Sequence, residues 1–116
     1  GTELVRSMQT AFGTKAEDLI AATGPCICFD CFEVGIEIGR RFTEEFRSEE
    51  LVKPGRPGKA YVDIRGAIEI QLEECGILPQ NISAMPLCTF ERSDLFYSYR
   101  RDRTKTGAMV SVLKLI

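Results

Sequence analysis

Three of the five cysteines stand within six residues, in the segment GPCICFDCFEVG at positions 24–35. Thiols this close together, at Cys26, Cys28 and Cys31, suit a metal site, a disulfide, thiol redox chemistry or simple packing. A structural zinc site takes four ligands, usually as two close pairs. The fourth ligand here would have to be Cys75, Cys88 or a carboxylate, and none stands at a recognised spacing. The sequence therefore favours packing over metal binding.

The positions of two thiols support that interpretation. Cys31 falls on the apolar stripe of one predicted helix and Cys75 on that of another, and free cysteine is among the residues most often buried. Cys28 and Cys31 also form a C-x-x-C pair where a helix is predicted to begin, a place that lowers a thiol pKa. The residues around the pair lack the Trp-Cys-Gly-Pro context of redox proteins, so redox chemistry is the weaker alternative.

A second chemical candidate is the basic and aromatic segment FYSYRRDR at positions 96–103. Its arginines could bind a phosphate, a carboxylate or a flat base, or could form a solvated cluster beside neighbouring acids. The residues concerned are Tyr97, Tyr99, Arg100, Arg101 and Arg103. The net charge of −2 argues against an extended nucleic-acid surface. The Gly24-Pro25 turn lacks a Walker or G-x-G-x-x-G pattern, but it precedes a predicted helix N-terminus, which can bind an anion.

The composition narrows the kind of protein. The chain has 116 residues, of which 44% are hydrophobic and 28% charged, which is typical of one compact domain covering residues 1–116. No apolar run approaches the roughly 20 residues needed to cross a membrane. An odd number of cysteines without a secretion signal favours a cytoplasmic, reducing setting. Histidine is absent, which removes the commonest general base and the commonest nitrogen ligand of zinc or copper.

The apolar periodicity predicts alternating helices and strands. Helices are predicted over 3–12, over 31–46 with Asp30 and Glu33 as a capping box, and over 63–75 ending at Gly76. A capping box at 14–17 is predicted to open a short turn. Strands are predicted over 19–23, 81–90 and 108–116, the last as an interior strand, and 53–59 reads as an exposed loop. These elements predict an α/β or α+β layered domain with a mixed sheet and packed helices.

Three blocks in this order resemble the YfiH-type laccase-domain family, the so-called multicopper polyphenol oxidoreductases regarded as purine nucleoside phosphorylases. The first is GPCICFDCFEVG, the second VDIRGAIEIQLEECGI, and the third LCTFERSDLFYSYRRDRTKTG. Ala108 departs from the family pattern, which usually has Arg there. The resemblance covers nearly the whole chain and implies the incomplete C-terminal half of a laccase-domain fold, because GTELVRSM would follow directly after the family's last metal-ligand motif.

The resemblance implies a zinc-dependent purine nucleoside phosphorylase, with copper as another possible metal and with adenosine deaminase and polyphenol oxidase activities also assigned to the family. The family's metal is held by two histidines and a cysteine, and no position of this chain matches them. We therefore expect no catalytic residue and no metal ligand in this segment, no activity of the segment alone, and purine nucleoside and phosphate as substrates of the intact protein. Its expected partner is the missing N-terminal half, with self-association also possible, and neither nucleic acid nor membrane.

For the substrate or phosphate pocket, the resemblance and the residues together predict Gly24, Pro25, Arg100 and Arg101. Two other functions stay open from the sequence. One is a non-catalytic interaction or scaffold module. The other is a small metal-binding domain with cysteine ligands, which stoichiometric zinc lost on replacement of Cys26 and Cys28 by serine would reveal.

Overall fold

The computed structural model describes residues 2–103 and 106–112. Its α-helices are α1 (Thr2–Phe12), α2 (Ile36–Phe46), α3 (Ile64–Glu74) and the short α4 (Tyr99–Asp102). Its strands are β1 (Ala21–Thr23), β2 (Glu33–Gly35), β3 (Val52–Pro54), β4 (Lys59–Val62) and β5 (Ile82–Ala84). Single turns of 3-10 helix lie at Ala16–Asp18, Glu49–Leu51 and Pro79–Asn81. In the described part, no helix is long and apolar enough to cross a membrane.

The strands form two small sheets. β1 pairs in parallel with β5, so that Ala21 lies opposite Ile82. β4 lies between β2 and β3 and is antiparallel to both of them. Because β1 and β5 run in the same direction, the chain segments that follow them leave from the same edge of the sheet. The segments that begin at Gly24 and Met85 therefore meet, and an isolated parallel bridge joins Cys26 to Cys88.

Helix α2 covers the three-stranded sheet closely. Gly39 faces that sheet, and a Cβ atom there would lie 3.0 Å from Ala60 Cβ and 3.1 Å from Val52 Cγ1. A larger residue would therefore push the helix off the sheet. Val62, on the central strand, has no exposed surface at all. The core of the domain thus lies around β4, between α2 and the segment leading into α3.

The mixed α/β class and two of the long helices are confirmed. α1 covers the predicted 3–12. α3 takes up 64–74 of the predicted 63–75, and Asp63 caps it, since its carboxylate accepts the Gly66 backbone N–H at 3.0 Å. Gly76 has φ +96°, the left-handed conformation that ends a helix. The 14–17 turn exists as 3-10 helix, but no side chain caps it, so the predicted capping box there is wrong.

The start of the second predicted helix is also wrong. Residues 29–31 form a turn, β2 follows, and α2 begins only after Gly35. Asp30 instead pairs with Lys53, and Glu33 pairs with Arg56. The spacing of Cys31 and Val34 is that of a helix, but residues 33–35 pair with β4, where Val34 lies opposite Ala60, and this pairing decides for the strand.

Three other predicted elements differ from the structure. The 53–59 loop is correct for 55–58, which form the turn of a hairpin, but its ends belong to β3 and β4, which pair on either side of that turn. The 81–90 strand is shorter and is regular only in β5. The 108–116 strand is wrong for its described part, since 108–112 has no regular structure and Val110 is 84% exposed. The rest of that prediction, at 113–116, lies outside the described residues.

Candidate functional site

A groove of 730 Å³ opens where β1 ends, between the chain that leaves it and helix α3. Gly24 and Pro25 form one wall of this groove, which we call the β1 groove, and Arg65 and Ile68 of α3 form another. Met109, Val110 and Ser111 contribute a further wall. A Cβ atom added to Gly24 would meet nothing within 4 Å, so the backbone here is open to close approach.

Two residues of the β1 groove carry polar atoms without partners. Thr23 Oγ1 and Arg65 Nε are buried and have no hydrogen-bond partner among the described residues. Another nitrogen of Arg65 donates to the carbonyl of Leu87 at 3.2 Å, which fixes the guanidinium beside the groove. A buried polar group without a partner is costly, so an acceptor close to Arg65 would stabilise this arrangement. A guanidinium with unused N–H donors is suited to phosphate or carboxylate.

Arg101 does not reach this groove with its charged end. Its guanidinium donates to the carbonyls of Thr89 and Phe90 at 2.9 and 3.0 Å, and to that of Phe96 at 2.9 Å. It also forms a fork with the Asp102 carboxylate, at 3.0 and 2.8 Å. These are five bonds, and a guanidinium has five donors. Arg101 therefore braces the 89–96 segment, and its hydrogen bonds hold the pKa of Asp102 below its usual value.

Arg100 lies on the surface beside strand β2. It donates to the Glu33 carbonyl at 3.1 Å, and its guanidinium carbon is 5.0 Å from the centre of the Phe32 ring. The four residues predicted for the pocket thus fall into two places. Gly24 and Pro25 line the β1 groove, whereas Arg100 and Arg101 are not among the residues that line it. Phe96 connects the two places, since it lines the groove and accepts a hydrogen bond from Arg101.

A second groove, of 630 Å³, lies between helix α2 and the β3–β4 hairpin. It is lined by residues between Ile36 and Ala60, including the Pro-Gly turns. Arg56 stands at its rim, where it forms an ion pair with Glu33 and lowers the pKa of that carboxyl. The groove offers a volume similar to that of the β1 groove, but no unpartnered buried polar atom is found among its described residues.

The structure also brings three thiols and a carboxylate together. The ligand-type atoms of Cys28, Cys31, Cys88 and Glu91 all lie within 4.8 Å of one another. We call these four residues the thiol cluster. The Sγ atoms of Cys31 and Cys28 are 3.4 and 3.7 Å from Glu91 Oε1. Cys88 is buried, Cys28 and Cys31 are half-buried, and Glu91 is exposed. Thiolates and a carboxylate are typical zinc ligands.

The three thiols differ in their electrostatic surroundings. Burial raises the pKa of Cys31, and hydrogen bonds with Cys28 and Glu91 raise it further. Burial also raises the pKa of Cys28. Burial alone would raise the pKa of Cys88 as well, but backbone N–H groups of Cys28, Glu91 and Phe90 hold it below its usual value. Cys88 is therefore the thiol of the cluster best prepared to lose its proton.

Sequence reasoning named Cys88 and a carboxylate as conceivable ligands but did not foresee this cluster. The only signal was a repeated spacing: two residues separate Cys28 from Cys31, and two separate Cys88 from Glu91. The resemblance implies a separate set of metal ligands, which contains histidine. The chain has no histidine, so its own residues do not fit that set.

Comparison with protein families gives a match along the whole chain. The model of the family described as "Multi-copper polyphenol oxidoreductase laccase" matches residues 1–116. Among solved structures, the chain is similar to YlmD from Geobacillus stearothermophilus, with 28% identity and a TM-score of 0.81, covering 91% of this chain and 40% of that one. It is also similar to the hypothetical protein YfiH from Bacillus licheniformis, with 25% identity and a TM-score of 0.79 over the same shares.

Several curated proteins are similar in sequence. The purine nucleoside phosphorylase slr1573 of a Synechocystis species is 33% identical over 114 residues, covering 82% of this chain and 43% of the relative. The purine nucleoside phosphorylase of Deinococcus radiodurans is 35% identical, covering 89% and 38%. The adenosine deaminase RL5, from an unknown prokaryotic organism, is 35% identical, covering 82% and 39%. The chain spans about two-fifths of the length of these curated relatives.

Proposed function

Since the chain belongs to the multi-copper polyphenol oxidoreductase laccase family, we propose that it is part of a purine nucleoside phosphorylase and that its β1 groove holds part of the nucleoside or phosphate. The observation that carries this proposal is the pair of unpartnered polar atoms, Thr23 Oγ1 and Arg65 Nε, in one groove. The names of several relatives support the reaction class.

In the proposed reaction, a phosphate oxygen forms a bond to the ribose anomeric carbon as the bond from that carbon to the purine nitrogen breaks. The electron pair of the broken bond leaves with the purine, which takes up a proton. Arg65 supplies positive charge and N–H donors to the phosphate, and Gly24 lets the substrate approach the backbone. Charge stabilisation by donors fixed in advance is the usual large contribution to such a reaction. The zinc-binding histidines of this proposal come from a preceding half of the same protein.

Exposed apolar side chains support a partner for this segment. Phe12, Ile20 and Val112 are each more than four-fifths exposed, at 82%, 82% and 86%. Burying this apolar surface against a partner would be favourable, since it removes the surface from water. We propose that the N-terminal half covers part of it, and that the segment alone self-associates and lacks phosphorolysis. We also propose that the protein works in the reducing cytoplasm, where cysteine thiols are kept reduced.

The direct test of the reaction is product analysis with the longer protein that carries this chain. Adenosine, inosine, guanosine and methylthioadenosine are incubated with and without inorganic phosphate, and the base and the sugar product are quantified. We expect free purine and the matching sugar 1-phosphate in equal amounts, formed only when phosphate is present. The sugar product is ribose 1-phosphate from adenosine, inosine and guanosine, and 5-methylthioribose 1-phosphate from methylthioadenosine. Phosphate-independent conversion of adenosine to inosine would assign a deaminase instead, and no turnover would favour a non-catalytic module.

A further inference from the structure

The thiol cluster has the arrangement of a structural metal site built from two turns. Cys28 precedes a turn at 29–31 that ends at Cys31. In the same way, Cys88 precedes a turn at 89–91 that ends at Glu91. In the first, the Cys31 N–H donates to the Cys28 carbonyl at 3.1 Å. In the second, the Arg92 N–H donates to the Cys88 carbonyl at 3.0 Å. Two close ligand pairs, each held by its own turn, are typical of structural zinc sites.

The distances within the cluster agree with a tetrahedral ion. A Zn–S bond of about 2.3 Å and a Zn–O bond of about 2.0 Å that meet at the tetrahedral angle place sulfur and oxygen roughly 3.5 Å apart. The two sulfur–oxygen distances to Glu91, 3.4 Å from Cys31 and 3.7 Å from Cys28, already have this value. Three thiolates around one ion would be about 3.8 Å apart, so the 4.8 Å limit on the cluster leaves at most about 1 Å to be closed by side-chain rotation.

The backbone around the cluster is fixed before any ion arrives. The Cys28 N–H donates to Cys88 Sγ at 3.3 Å, and the Thr89 N–H donates to the Cys26 carbonyl at 3.2 Å. Hydrogen bonds to ligand atoms are the outer contacts that orient ligands in metal sites. On the far side of the second turn, Arg101 binds the carbonyls of Thr89 and Phe90. These bonds hold the turn that carries Cys88 and Glu91 in place.

We propose that Cys28, Cys31, Cys88 and Glu91 bind one zinc ion that joins the segment after β1 to the segment after β5. The site is distinct from the histidine-containing set that the family resemblance implies, because all four ligands belong to this chain. Its role is structural: all four positions of the ion are taken by protein atoms, and the ion fixes the two segments that lead to the β1 groove. On binding, each thiol releases its proton to solvent.

The test measures zinc binding by the 116-residue chain. Because it requires no turnover, its outcome is independent of the phosphorolysis assay. The protein is reduced, stripped with chelator and titrated with zinc alone, and then with cobalt(II) as a spectroscopic probe. We expect one zinc per chain, and a cobalt spectrum with sulfur charge-transfer bands and the visible bands of tetrahedral coordination. Replacing Cys31 or Cys88 by serine should weaken zinc binding by more than about 100-fold, and E91Q by about tenfold.

Two variants, C75S and E91Q, show whether the loss of zinc is specific to the thiol cluster and independent of folding. C75S removes a thiol at the end of α3, outside the cluster, and should leave stoichiometry and affinity unchanged. Because Glu91 is exposed, E91Q should fold normally, as circular dichroism of the metal-free protein would show. The proposal is overturned if the reduced protein binds no zinc, or if C75S loses zinc as fully as Cys88→Ser. It is also overturned if Cys28 and Cys31 are joined as a disulfide in the reducing buffer used for the zinc titration.

Discussion

Replacing Arg101 with alanine should lower the melting temperature by about 5 °C or more, because it breaks a partly buried network of five hydrogen bonds. The substitution leaves three backbone carbonyls, those of Thr89, Phe90 and Phe96, without their donor. It also leaves the Asp102 carboxylate without its fork. The Arg101 side chain is only 20% exposed, so water cannot replace all of these bonds. Thermal unfolding followed by circular dichroism measures the effect.

Two variants separate this network from general loss of charge. Among the described residues, Arg100 makes one exposed hydrogen bond and lies over the Phe32 ring. Arg100→Ala therefore removes a neighbouring arginine with few contacts, and its melting temperature should change little. Arg101→Lys keeps the charge but cannot reach the same carbonyls, since an ammonium has no planar fork, and it should be nearly as destabilised as Arg101→Ala. Equal effects of Arg100→Ala and Arg101→Ala would contradict the bracing role. Arg101→Ala should also weaken zinc binding about tenfold, through the turn that carries Cys88 and Glu91.

Replacing Arg65 with alanine should reduce kcat/KM for phosphorolysis by about 100-fold, because it removes donors that meet developing negative charge. The loss should appear in the dependence on phosphate concentration, and Arg65→Lys should restore part of it by returning the charge. The measurement is steady-state kinetics of the longer protein with inosine while phosphate is varied. Arg65 also holds the Leu87 carbonyl, so thermal unfolding is measured alongside.

The matched control for Arg65 is Arg40→Ala. Arg40 is an exposed arginine of α2 that lines the second groove, and its removal should leave phosphorolysis unchanged. If Arg65→Ala keeps normal phosphate dependence while Arg40→Ala loses it, the substrate lies in the second groove. A loss of stability without any change in the activity of the remaining folded protein would limit Arg65 to holding Leu87.

Helix α3 shows what the sequence is able to predict. Its apolar spacing and its Gly76 end are local signals, and each has the predicted role in the structure, where Asp63 also caps the helix. The beginning of α2 shows where such signals are insufficient. Cys31 and Val34 continue the helical spacing backwards, but residues 33–35 gain backbone hydrogen bonds to β4 that a sequence pattern does not display. Pairing with a distant strand overrides local propensity here.

The candidate sites were predictable only in part. Gly24 and Pro25 were singled out from the sequence, and they line the β1 groove, although the structure assigns no turn to them. Arg65 was not recognised, because a single arginine on a helix carries no pattern. The thiol cluster joins residues 60 positions apart, and their meeting depends on the parallel pairing of β1 with β5. The sequence shows the equal spacing within each ligand pair, but not that the two pairs face one another.

The central claim is that the nucleoside site includes the β1 groove, and photolabelling tests it most directly. The longer protein is irradiated with 8-azidoadenosine, with and without excess inosine, and the labelled peptides are identified by mass spectrometry. We predict label on the walls of the β1 groove, within 23–26, 65–68 or 109–111, and its loss when inosine competes. Inosine-sensitive label confined to residues 36–60, around the second groove, would contradict the claim.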